Sequence, residues 1–196
     1  MVSSIRVTDN IKKVNRDLKR AQKKKIPEAT KWAINNTAFK LRKAYMAQAE
    51  KKFDRPTRFT INAFGVSKAT PRDMSAKVFI KDTQAKYLEP QIEGGQSTKK
   101  QRSGYAVPTQ RLPLNQYGNI PSKKLTVGGR EIRPTKTGLG VYSKSVKGKP
   151  SELLIVFKKA INYKKIFPFF HIGEKFVSNV FPKEMVKSLK KELARK

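Results

Sequence analysis

Surplus positive charge constrains this chain more than any other property: 45 Lys and Arg stand against 14 Asp and Glu, a formal net charge of +31. A compact chain of that charge repels itself. It calls for a counter-surface, either phosphate or acidic protein, and phosphate backbones bind Lys/Arg-rich surfaces by counterion release without reading sequence. A solvated basic surface with no partner is the blander reading, and it suits a smaller excess. The core must be thin, because hydrophobic residues make up 37% of the chain against roughly 45–50% in globular domains. Aromatic residues compensate, since 11 Phe, 6 Tyr and 1 Trp bury more area each than aliphatic ones. With no cysteine, disulfides and thiolate metal sites are excluded. The first residues, Met1 to Arg6, lack the apolar run of a signal peptide, and no window reads as a spanning helix. The expected location is a cytoplasm-like compartment or a particle assembled there.

Apolar residues at Val7, Ile11, Val14, Leu18 and Ala21 step by four and three, which predicts a helix with one narrow seam. Thr8 or Asp9 suits its cap. Lys12, Lys13, Arg16, Lys19, Arg20 and Lys23 to Lys25 occupy the other faces, so the helix packs on one partner and shows charge elsewhere. Lacking Trp or Phe on the apolar face, it does not read as a membrane-surface helix. Pro27 suits the first turn of a second helix and Glu28 its dipole. Ile34, Ala38, Leu41, Tyr45, Ala49 and Phe53, beside Ala29, Ala33 and Asn36, carry that helix from Glu28 to Lys52. Asp54-Arg55-Pro56 ends it.

Alternation of Phe59, Ile61 and Ala63 predicts a strand over Arg58–Val66, and Val78, Phe79 and Ile80 predict another over Ser75–Lys81. Thr70 to Asp73 reads as the turn of a hairpin packed on the long helix. From Gly94 to Arg130 no acidic residue occurs, and Gly, Pro, Ser, Gln and Asn dominate. This stretch reads as a long basic excursion with a short strand near Tyr105–Val107 and a helical turn after Pro121. Lys147-Gly148-Lys149-Pro150 reads as a turn, and Leu153 to Phe157 as a central strand. Val177, Val180 and Phe181, then Met185, Val186, Leu189 and Leu193, predict two short helical pieces interrupted at Pro182.

The expected plan is α+β in a single domain over residues 1–196. N-terminal helices (8–53) and a C-terminal helical segment (170–195) pack on an antiparallel sheet (57–82 and 138–158), with a basic loop insertion at 94–136.

Candidate chemistry is sparse. His171 is the single histidine, beside Phe169 and Phe170, and reads as packed or capping. Asp82, Glu89 and Glu93 are the acids that would hold a divalent ion in a nuclease-like site, but Pro90 and Gly94-Gly95 argue for a turn there. Lys147-Gly148-Lys149-Pro150 lacks the phosphate-loop pattern. No catalytic, cofactor or metal site is expected, and the chain does not read as an enzyme. Lys86-Tyr87, Arg102 to Tyr105 and Asn162 to Lys165 interleave aromatic and basic residues, as base-stacking patches do and as amphipathic sheet edges do equally. The residues expected to meet nucleic acid or an acidic partner are Lys99, Lys100, Arg102, Arg111, Lys123, Lys124 and Arg130.

Four segments carry a resemblance. Phe53-Asp54-Arg55-Pro56-Thr57-Arg58-Phe59-Thr60, Lys86-Tyr87-Leu88-Glu89-Pro90-Gln91-Ile92-Glu93-Gly94-Gly95, Asn115-Gln116-Tyr117-Gly118-Asn119-Ile120 and Phe167–Phe181 resemble the tailed-phage minor tail protein Z family. The order is the same from about residue 10 onward, and the second segment is the most specific. The resemblance implies a non-enzymatic tail completion protein at the head-proximal end of the tail, assembled in the host cytoplasm. It implies helices packed on an antiparallel sheet and a homo-oligomeric ring, commonly a hexamer. The tail terminator and head–tail connector are the implied neighbours, and phage DNA is held without sequence preference. A free, sequence-independent nucleic-acid-binding protein is the alternative expectation.

Overall fold

The computed structural model describes residues 8–98, 104–121, 131–136, 138–143, 145 and 150–195, with side chains from Lys13 onward. The fold is mixed α+β, as the sequence predicts, with long helices at both ends and antiparallel sheets between. Helix α1 (Thr8–Arg20) passes through a π-helical turn (Ala21–Lys25) into α2 (Ile26–Lys52). Then come α3 (Arg58–Ile61), β1 (Phe64–Ser67), β2 (Lys77–Ile80) and α4 (Asp82–Glu93). Strands β3 (Gly95–Thr98), β4 (Tyr105–Pro108), β5 (Glu131–Thr135), β6 (Gly138–Tyr142), β7 (Leu153–Lys158) and β8 (Ala160–Tyr163) precede α5 (Phe169–Ala194). No described helix is long and apolar enough to cross a membrane. The chain, read from sequence as one domain, groups into two compact units, each discontinuous in sequence. One takes the chain up to Met46, Phe64–Lys81 and Phe169 onward; the other takes Ala47–Ala63 and Asp82–Pro168.

In the first unit, the inner stripe of α2 is small: Ala29 and Ala33 are fully buried, with Leu41 and Tyr45 following. The β1–β2 hairpin pairs Phe64 with Ile80 and Ser67 with Lys77. Asn35 holds its far end, accepting from Ala69 N at 2.7 Å and donating to Ala69 O at 3.1 Å. The Tyr45 ring stacks on Phe64 (5.3 Å) and on Phe169 (4.4 Å), and its hydroxyl donates to the Phe169 carbonyl at 2.9 Å. Burial pushes the Tyr45 phenol up to about 12. Helix α5 buries an unusually polar stripe: Gly173, Glu184, Ser188 and Glu192. These groups are satisfied where charge demands it, since Lys40 Nζ meets Glu184 at 2.6 Å and Arg195 Nη1 meets Glu192 at 2.8 Å.

Two expected breaks are absent. Pro27 lies inside a continuous helical run. A proline ring crowds the carbonyl four residues back, here Lys23, and the wider π turn at that place relieves it. Helix α5 also continues through Pro182, because Gly173 before it and Glu184 after it are both fixed against α2, at Tyr45 and Lys40. His171, expected to be packed or capping, is exposed in the first turn of α5.

In the second unit β7 is an interior strand, as expected, in the order β4-β7-β6-β5. Its Ile155 is 1% exposed and packs with Leu112 and Val141. Both edge strands carry a proline, Pro108 in β4 and Pro134 in β5, where a missing N–H costs least. Phe53 stacks on the buried Phe167 at 5.4 Å.

Several sequence expectations are corrected here. The first half of the strand expected over Arg58–Val66 is helix α3, capped by Thr57 Oγ1 accepting from Thr60 N at 3.3 Å. The turn expected about Pro90 is helix α4, with Gln84, Leu88 and Ile92 on one buried face and Gly94 closing it at φ +73; Gly94 N donates to Pro90 O at 2.9 Å. The insertion expected at 94–136 holds the strand expected near Tyr105–Val107, which is β4, and also strands β3 and β5, with β3 paired to β8. The residues of β3 and β5 carry no alternating apolar signal. Among the described residues the strands form three antiparallel sheets rather than one. The helical turn expected after Pro121 lies outside the described residues, as do Lys147, Gly148 and Lys149.

Candidate functional site

In the second unit, segments far apart in sequence meet around one open pocket of about 540 Å³. After α2 ends, Arg55 takes φ +45, the one positive value at a non-glycine among the described residues. Pro56 disfavours the helical region for the residue before it, and left-handed backbone is costly for an arginine. The side chain folds back in a fork on Asp54, Nε to Oδ1 at 3.2 Å and Nη2 to Oδ2 at 3.1 Å. The hydrogen bonds from Arg55, and then its charge, hold the Asp54 carboxyl below the usual carboxylate range.

The opposing wall is a turn tied by one side chain. Asn115 Oδ1 accepts from Tyr117 N at 3.0 Å and Asn119 N at 2.9 Å, a compact Asx-type arrangement. Gly118, at φ +71, lies against the guanidinium, and a Cβ there would come within 2.9 Å of Arg55 Nη2. Helix α4 supplies the floor. The Tyr87 hydroxyl shares a hydrogen bond with Thr60 Oγ1 at 3.2 Å. The Gln91 carbonyl accepts from both Ile166 N (3.0 Å) and Phe167 N (3.1 Å), which brings the chain before α5 to the same place.

Around the fork stand exposed apolar surfaces: Phe59, Tyr87, Tyr117 and Ile166. Rings with hydroxyl tips beside an accessible ion pair suit a protein segment that offers an apolar anchor with polar neighbours. Three of the four segments that carry the family resemblance line this pocket, Phe53–Thr60, the α4 segment and the Asn115–Ile120 turn, and the fourth meets it only at Phe167 through the Gln91 carbonyl. Sequence reading took Asp54-Arg55-Pro56 as a helix stop and as part of the first resembling segment, with no sign of the fork.

Of the cations expected to meet nucleic acid or an acidic partner, Lys99, Lys100, Arg102, Lys123, Lys124 and Arg130 lie outside the described residues. Arg111 is exposed, and its Nη1 sits 3.7 Å from Glu152 Oε1, so part of its charge is answered within the chain. Tyr105 in β4 bonds to Ser97 Oγ at 2.6 Å, and burial, then Tyr105, raises the Tyr163 phenol. Both are built into sheet edges. The acids Asp82, Glu89 and Glu93 share one helix, which spaces Asp82 about 10 Å along the axis from Glu89. They do not converge, and no group of three potential ligands does among the described residues.

Comparison with protein-family models, curated proteins and solved structures finds no match.

Proposed function

We propose that this chain is a structural component of a tailed-phage particle, a tail completion protein at the head-proximal end of the tail that joins tail to head and meets DNA without reading its sequence. One observation carries the reading. Three of the four segments resembling the minor tail protein Z family, Phe53–Thr60, the α4 segment and the Asn115–Ile120 turn, line a single pocket, and the fourth abuts it only at Phe167, whose N–H is held by the Gln91 carbonyl. Short strings alike by chance have no reason to assemble in space.

Its mechanism is geometric and electrostatic, with no substrate turned over. Copies form a homo-oligomeric ring, with six the expected number, between the tail terminator and the head–tail connector. Exposed apolar side chains suit burial in such an assembly: Phe170 on α5, and Ile132 and Leu139 on β5 and β6. The net charge of +31 suits a lumen or rim beside DNA, where phosphate neutralises what copies of the chain cannot neutralise for one another.

Labelling the protein in purified particles tests this directly. Label is expected at the head–tail junction, and particles without the protein are expected to leave heads and tails unjoined. Absence from particles, or normal joining without it, overturns the reading. The same charge favours the alternative, a free nucleic-acid-binding protein, which expects the protein to bind duplexes as a monomer and to be missing from particles.

A further inference from the structure

We infer that the π turn between α1 and α2, together with the end of α5, forms a binding site for a phosphate group. Arg20, Lys24, Lys25, Glu28, Glu192 and Arg195 line one cavity of about 280 Å³ there. The π turn is what gathers the first three. In an unbroken α-helix Lys25 would stand about 140° around the axis from Arg20. Here the Ile26 N–H bonds the Ala21 carbonyl, five residues back. A turn of that width takes more residues per circuit, so Arg20, Lys24 and Lys25 come round to one side.

Both acids in the cavity are already answered. Glu28 meets Lys31 at 2.6 Å, and the buried Glu192 meets Arg195 at 2.8 Å. Lys25 Nζ donates to the carbonyls of Leu193 at 3.4 Å and Arg195 at 2.7 Å. Those bonds fix the amine and leave its charge unbalanced. They also cover two carbonyls whose partial negative charge at a helix end would otherwise face an anion. Among the described residues, Arg20 and Lys24 have neither a hydrogen-bond nor an ion-pair partner. Positive charge therefore stands over at Arg20, Lys24 and Lys25.

The chemistry of the lining chooses the ligand. No apolar side chain lines the cavity, so a protein segment would find no anchor in it. A carboxylate brings one charge and two oxygens in a plane. A phosphate group brings oxygens in several directions and up to two charges, which suits a guanidinium fork beside two ammonium groups. The group is supplied either by a nucleic-acid backbone or by a free phosphate compound. The inference stands on this cavity alone, independently of the particle assignment.

The test uses the full chain and inorganic phosphate, with chloride at matched ionic strength as the control. Phosphate is expected to raise the melting temperature saturably beyond chloride, as a ligand of the folded state does. R20Q/K24Q changes two exposed positions and is expected to weaken that response at least about tenfold. R20K/K24R keeps both charges and is expected to retain it. R72Q/K175Q removes equal charge at exposed positions outside the cavity and is expected to respond as wild type. Equal effects of phosphate and chloride overturn the inference, as does a phosphate response that survives in R20Q/K24Q. A response lost equally in R72Q/K175Q assigns it to the diffuse charge of the chain and also overturns it. Duplex DNA then identifies the source. A salt slope reduced by about 1.8 in R20Q/K24Q alone makes a backbone phosphate the ligand. An unchanged slope, with the phosphate response lost, makes it a free phosphate compound.

Discussion

Lys40 Nζ lies 2.6 Å from Glu184 Oε1, with the carboxylate side chain 7% exposed and the lysine 52% exposed. The pair is lopsided: one partner has given up its water and the other has kept most of it. Lys40's hydrogen bond is the largest influence holding the Glu184 carboxyl below its usual range. A carboxyl of lowered folded-state pKa stabilises the fold above its unfolded value, about 4.3, and loses that contribution as pH falls through the folded value. Acid unfolding is therefore expected to begin below about pH 4.3 and to lose part of its pH dependence in K40A. At neutral pH K40A is expected to cost about 1 kcal/mol, because it removes the main partner of a buried carboxylate and leaves it to Asn36 and the charge of Lys187. E184Q leaves only a solvated lysine and is expected to cost less. Denaturant titration of both variants checks the order.

Gly173 faces the Tyr45 hydroxyl so closely that a Cβ there would overlap it. G173A gains helix propensity worth roughly 1 kcal/mol. It is still expected to destabilise by about 1–2 kcal/mol, since Tyr45 is held by two rings and a carbonyl and does not yield. Removing the hydroxyl makes room, so G173A in a Y45F background is expected to cost less than in the wild type. Thermal melts of the four-protein cycle give the coupling.

Gly118 both needs its left-handed backbone and keeps space for the Arg55 guanidinium. G118A is expected to cost about 1 kcal/mol from backbone strain and to displace Arg55 from the pocket. In particles this variant is expected to join heads to tails poorly while the purified protein stays folded by circular dichroism. Normal joining by a folded G118A protein would argue that the pocket takes no partner.

Non-specific DNA binding should follow the counterion rule, with log K falling linearly in log salt at about 0.9 per phosphate contact. Replacing Lys99, Lys100 and Arg102 together by Gln is expected to reduce the slope by about 2–3 equally on unrelated duplexes. A slope that stays the same removes these three from the interface.

Helices α1, α2 and α5 and the interior strand β7 were legible from their apolar spacing, but that spacing reports burial only in α2 and β7, since Val14 and Leu18 on α1 and Val177, Val186 and Leu193 on α5 are exposed. Prolines misled: Pro27 read as the start of a separate helix, Pro90 as a turn and Pro182 as an interruption, yet each lies within a continuous helical run. Strands β3 and β5 left no trace in the pattern, because an edge strand of Gly, Gln, Ser, Thr or Arg shows nothing alternating. The segments forming the pocket were visible as strings, but their meeting depends on bonds such as Gln91 to Ile166 that no local pattern encodes. Arg55 shows most clearly what sequence withholds: Asp-Arg-Pro announces a turn, and the handedness of that turn appears only in space.

Lys25 Nζ donates to the carbonyls of Arg195 at 2.7 Å and Leu193 at 3.4 Å, fastening the tail of α5 to the base of α1. A bulky reporter fused behind Arg195 would therefore start beside the π turn at the base of α1 and crowd it, so probes belong on a surface loop such as Thr70–Asp73.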